Sequence, residues 1–196
     1  MFLRNLIDNK SLLLLIVVAT GLLYIPLNRR KSRYYWGTTF DRKIPLVPVF
    51  IFPYIYFFFP YLAIGFLLLI GSPIVLVFLK SFVVANIIAA IIWYVFPNGV
   101  RRPKVAGSGF LKKMIGNLYK FDKYESNGFP SSHVYYTSII TWYLVLAVPQ
   151  YSLMFWFVGI SIVLSTLLTK QHYIIDVIGG LGLTLISIYL ANAFWG

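Results

Sequence analysis

Two histidines occur in this chain of 196 residues, and each sits in a pattern suited to moving a phosphoryl group. His133 closes the run Asn127-Gly128-Phe129-Pro130-Ser131-Ser132-His133. His172 opens His172-Tyr173-Ile174-Ile175-Asp176, with a carboxylate four residues on. An imidazole can attack phosphorus when an acceptor fixes its tautomer and leaves the other ring nitrogen free. A second imidazole can carry the proton to and from the leaving oxygen. A helix beginning near His172 puts His172 and Asp176 on one face. Pro130-Ser131-Ser132 reads as a helix start with Ser131 as N-cap, and the free N–H groups of such a start bind phosphate oxygens. Each pattern alone also fits a structural role: a capping turn with an incidental histidine, or a His–Asp pair buried at a helix start.

Cations stand close to both patterns. Arg102, in Arg101-Arg102-Pro103, can grip two phosphate oxygens at once, or can simply mark the end of a membrane span. Lys170 can neutralise charge on a transferring group, or snorkel to an interface. Asp41 beside Arg42 reads as a loop ion pair. Lys80, inside an apolar run, reads as a snorkelling lysine on the opposite side.

The elements that must position these residues are apolar. The chain is 60% hydrophobic and 11% charged, with a mean hydropathy of +0.82. Several runs reach the roughly 20 residues that cross a bilayer. An all-α, polytopic bundle of six spans is expected, as one domain over 1–196. The spans fall at about 11–27, 46–70, 74–95, 131–148, 153–168 and 174–193. The first is read as a transmembrane helix rather than a cleaved signal, because Arg29-Arg30-Lys31 follows it. The second carries Pro48, Pro53 and Pro60 and should be kinked. Residues 96–130 read as a polar loop. Trp36, Trp93, Tyr94, Trp142 and Trp195 fall near span ends, as interfacial aromatics do. There is no cysteine, which excludes disulfide and thiol chemistry.

Six spans put loops 28–45, 96–130 and 169–173 on one side, so the site should form at that membrane face. Of 17 lysines and arginines, 14 lie there, all but Arg4, Lys10 and Lys80. A basic chain can bind nucleic acid, but clusters flanking spans more often meet lipid headgroups, and no nucleic acid is expected. The positive-inside rule makes the basic face cytoplasmic, and a plasma-membrane location is expected.

These residues resemble the type 2 phosphatidic acid phosphatase superfamily of integral membrane lipid phosphatases. Arg102-Pro103 matches the end of its first motif, Pro130-Ser131-Ser132-His133 its second, and Ser165, His172 and Asp176 its third. The resemblance implies a nucleophilic His172 forming a phosphohistidine, with Asp176 orienting it and His133 as acid and then base. Arg102, Ser131 and Ser132 would hold the phosphate, and no metal ion or cofactor is implied. The family's motif lysine falls at Val95 and its motif arginine at Thr166, so Lys170 and Arg101 are the nearest replacements. Many bacterial relatives work on the outer face, opposite to the charge bias. Ser165-Thr166, Gln171-His172-Tyr173 and the stretch Asp41–Pro48 are similar to the branch of inositol phosphorylceramide and sphingomyelin synthases.

The expected activity is hydrolysis of a lipid phosphate or diphosphate: phosphatidate, phosphatidylglycerol phosphate or polyprenyl diphosphate. The alternative is a lipid phosphotransferase passing a phospho-headgroup to an alcohol. A non-enzymatic channel or scaffold leaves both histidine motifs unexplained.

Overall fold

The computed structural model describes residues 9–105, 107, 109–122, 124 and 126–195, the side chain of Trp195 excepted. Arg4, Lys123 and the Trp195 side chain, which figure in the sequence reading, lie outside the described residues. The architecture is all-α. Among the described residues no strand forms, only two isolated bridges, Tyr34 with Asn98 and Gly99 with Ser126.

Nine α-helices are described: α1 (Lys10–Leu22), α2 (Tyr24–Asn28), α3 (Thr39–Lys43), α4 (Phe58–Ile70), α5 (Val75–Val95), α6 (Phe110–Phe121), α7 (Ser132–Ala147), α8 (Ser152–Leu168) and α9 (Ile174–Trp195). Five stretches are long and apolar enough to cross a membrane: Lys10–Asn28, Pro48–Ile70, Val75–Val95, Pro149–Leu168 and Ile174–Phe194. The expectation of six is thus not met in full. The element at 131–148 is α7, of 16 residues, and at 1.5 Å per residue it falls short of a bilayer's thickness. It packs against α4, α5, α8 and α9. It buries Thr137 and Thr141 along with Tyr135, Ile139 and Ile140.

The prolines of the second span act at its start. Pro48–Phe50 forms a 3₁₀ turn and Phe52–Phe57 a π-helical segment, before α4 runs regularly. Proline cannot donate to the ladder, and irregular turns absorb the missing bond.

The ends of the bundle sort as the loop reading requires. At one end, Lys10 Nζ donates to the Ile70 carbonyl at 2.7 Å. At the other, Arg33 N–H donates to the Pro97 carbonyl at 2.7 Å and Val47 N–H to the Leu168 carbonyl at 2.9 Å. Arg30 Nη1 donates to the Tyr94 carbonyl at 2.6 Å, capping the end of α5.

Three sequence expectations fail. Residues 110–121 are not loop but an amphipathic helix, α6, which buries Ile115 and exposes Lys112, Lys113 and Lys120. Trp93 is in the core at 3% exposure, edge-on to Tyr24 at 5.5 Å. Lys80 is buried rather than extended to an interface.

Candidate active site

The turn that carries His172 follows α8. Lys170 N–H donates to the Leu167 carbonyl at 3.1 Å and Gln171 N–H to the Thr166 carbonyl at 3.0 Å. This is the Schellman ending of a helix, whose left-handed position is usually glycine. Here Lys170 takes it, with φ of 57°, a conformation that costs an L-residue about 1–2 kcal/mol. His172 N–H shares the Thr166 carbonyl at 3.1 Å. The turn therefore holds His172 by its backbone before α9 begins at Ile174.

Asp176 still reaches the ring. Its Oδ2 accepts from Tyr173 N–H at 2.8 Å and lies 3.5 Å from His172 Nδ1, outside ordinary hydrogen-bond length. His172 and Asp176 are both buried.

The Pro-Ser-Ser-His segment is docked on the start of α9. Ser131 N–H donates to the Asp176 carbonyl at 3.1 Å. Small residues on α9 permit the approach. A Cβ on Gly179 would lie 2.1 Å from the Phe129 ring, and one on Gly180 2.7 Å from Val134 Cβ. Asn98 clamps Phe129: its Nδ2 donates to the Phe129 carbonyl at 2.9 Å, and its Oδ1 accepts from Phe129 N–H at 2.5 Å. Ser131 holds the N-cap position of α7 but makes no side-chain capping bond. Its buried Oγ has no partner. Ser132 is buried in the first turn.

The two histidines converge across 39 positions of sequence, with ring centroids 6.1 Å apart. His133 is stacked on Tyr54 at 4.4 Å and tilted against Phe58 at 4.2 Å. Tyr54 comes from the π-helical start of the second span and Phe58 from the first residue of α4. Nδ1 of each histidine is buried without a hydrogen-bond partner.

A cavity of about 470 Å³ opens beside His172, lined also by Thr38, Asp41, Arg101, Arg102 and Lys170. None of the three cations is simply available. Lys170 Nζ donates to the Asp41 carbonyl at 2.7 Å. Arg101 lies with its guanidinium 4.8 Å from the centre of the Tyr35 ring. Arg102 is paired with Asp122, Nη2 to Oδ2 at 2.5 Å.

Asp41 is not a partner of Arg42 as the sequence suggested. Its Oδ2 accepts from Thr38 N–H at 2.7 Å and Thr38 Oγ1 at 2.6 Å, and its Oδ1 from Ile174 N–H at 2.7 Å. It buckles the 36–43 segment onto the start of α9. Burial pushes its carboxyl up, but the bonds from Thr38 and Ile174 and the Lys170 charge outweigh this and hold it below the ordinary value. Burial lowers the Lys170 ammonium, with Asp41 opposing.

Sequence reasoning missed Asp122, Asn98, Tyr54 and the Asp41 buckle. Scarcity was the available signal for the acids: the chain has only five, so each one among so many cations invites a partner. Of the two family positions that lack a cation, Thr166 is buried with its hydroxyl bonded to the Val163 carbonyl at 2.7 Å. Val95 is 54% exposed at the end of α5.

No curated protein and no solved structure matches the chain. A family model described as the PAP2 superfamily matches residues 36–190. That stretch holds the cavity, both histidines, three of the five candidate spans and most of a fourth, so the chain belongs to the PAP2 superfamily and is a multi-pass membrane protein with phosphatase- or phosphotransferase-type chemistry.

Proposed function

We propose that this protein is a lipid phosphatase that hydrolyses a lipid phosphate or diphosphate monoester through a phosphohistidine, with cationic side chains rather than a metal ion balancing the charge. The observation that carries the reading is the convergence of His133 and His172 at 6.1 Å, with Asp176 3.5 Å from His172 Nδ1.

In this reading the lone pair of His172 Nε2 attacks phosphorus and the bond to the lipid oxygen breaks. That oxygen takes a proton from His133. Water then gives a proton back to His133 as its oxygen attacks phosphorus. The P–N bond breaks, inorganic phosphate leaves and His172 is restored. Asp176 orients the imidazole. Arg102, Arg101, Lys170, Ser131 and Ser132 hold the phosphate oxygens, whose charge grows in the transition state. The same reading has the basic face in the cytoplasm and the substrate's tails in the bilayer of the plasma membrane.

The test is free phosphate release by the purified protein in detergent with EDTA. The panel is phosphatidate, phosphatidylglycerol phosphate and polyprenyl diphosphate, beside His172→Ala. Release that the variant lacks supports the reading, and equal release by the variant overturns it. If no substrate releases phosphate, headgroup transfer to an alcohol becomes the reading.

A further inference from the structure

Both terminal nitrogens of Arg102 are occupied, and one residue occupies them. Nη1 donates to the backbone carbonyl of Asp122, and Nη2 to its carboxylate Oδ2 at 2.5 Å. Asn28 Nδ2 donates to the other carboxylate oxygen at 3.1 Å. The Arg102 side chain is 4% exposed, and its buried Nε has no partner.

A guanidinium holds phosphate through the paired N–H groups that also take a carboxylate. Asp122 and a phosphate therefore compete for Arg102. Asp122 is the C-cap of α6, where the negative end of the helix opposes a carboxylate and favours exchange. The pair sits against the turn that carries His172. Arg102 lies 5.3 Å from the centre of the Tyr119 ring, and Tyr119 Oη donates to the Thr169 carbonyl at 2.8 Å.

We infer that Asp122 is a specificity-determining latch: its carboxylate and its backbone carbonyl hold the two terminal nitrogens of Arg102 that a phosphate monoester would take, and a substrate must displace them to bind. This rests on the proposed phosphatase reading and narrows its substrate class. A terminal phosphate carries about −1.5 to −2 charge and three free oxygens, enough to exchange with a carboxylate. A phosphodiester carries one negative charge and two free oxygens. The latch thus admits lipid phosphomonoesters and terminal diphosphates, and turns away the diester headgroups that crowd the same membrane.

The test is calorimetric binding of inorganic phosphate and of dimethyl phosphate to the full chain in detergent. Asp122→Asn should bind phosphate about tenfold tighter, the scale of a charge-assisted hydrogen bond. It should also gain measurable affinity for dimethyl phosphate, and adding Arg102→Ala should abolish both gains. Unchanged or weaker phosphate binding by folded Asp122→Asn overturns the latch. Asn28→Ala frees one carboxylate oxygen and keeps the charge. It should tighten phosphate binding about threefold by the same reasoning, and no change in it overturns the latch even if Asp122→Asn does not fold. Binding needs no turnover, so failure of the latch and failure of the hydrolytic reading are separate results.

Discussion

Ser131 and Asp176 are joined backbone to backbone, Ser131 N–H to the Asp176 carbonyl at 3.1 Å. One bond thus ties the helix start that carries His133 to the helix start that carries the Asp176 carboxylate. The two halves of the site, far apart in sequence, share a single rigid reference.

Asp176 is predicted to act through His172 rather than on substrate. Asp176→Asn keeps an acceptor for Tyr173 N–H but loses the charge beside Nδ1. It should fold and lose about 10²–10⁴-fold in kcat, as loss of an orienting carboxylate does elsewhere. Initial rates of phosphate release check this, and a rate within twofold of wild type would reject the role.

Gly180 is predicted to be a packing requirement. A Cβ there would lie 2.7 Å from Val134 Cβ and 3.0 Å from the Ser131 carbonyl. Overpacking of this kind costs about 1–3 kcal/mol. Gly180→Ala should lower both the melting temperature in detergent and kcat. Gly182→Ala, with nothing within 4 Å, should leave both unchanged or raise stability slightly.

The Asp41 buckle predicts acid sensitivity. The carboxyl is held below its ordinary 3.8 in the folded chain. A depressed folded value gives stability that is full above 3.8 and fades as pH falls through the folded value. Thermal melts in detergent across that range should therefore drop at acid pH in wild type. Asp41→Asn should be less stable at neutral pH and show a smaller acid drop. An equal drop in the variant would assign the acid sensitivity to another group.

The sidedness predicted from charge can be checked because the chain has no cysteine of its own. With the basic face cytoplasmic, Gly71→Cys at the opposite end should react with an impermeant thiol reagent in intact cells. Lys113→Cys on α6 should react only after lysis. The reverse pattern would put the site outside.

Five spans and the placing of Asp176 beside His172 were legible because apolar length and four-residue spacing are local properties. The amphipathic order of α6 was also local: Phe110, Leu111, Met114, Ile115 and Leu118 recur at helical intervals, yet its lysines made it read as loop. Asp122 was illegible for a different reason. Its partners Asn28 and Arg102 lie 94 and 20 residues away, so its meaning depends on loop closure. The same holds for Asp41, whose bond to Ile174 spans 133 residues. Lys170 in a left-handed conformation defied the rule that favours glycine there.

The connection from Leu168 to Ile174 also works as a ruler. One carbonyl, that of Thr166, receives both Gln171 and His172, and Asp176 comes two residues into α9. Each residue added to or taken from a helical register turns the following side chain by about 100°. A chain one residue longer or shorter here would keep the helices on either side and point its imidazole away from its carboxylate.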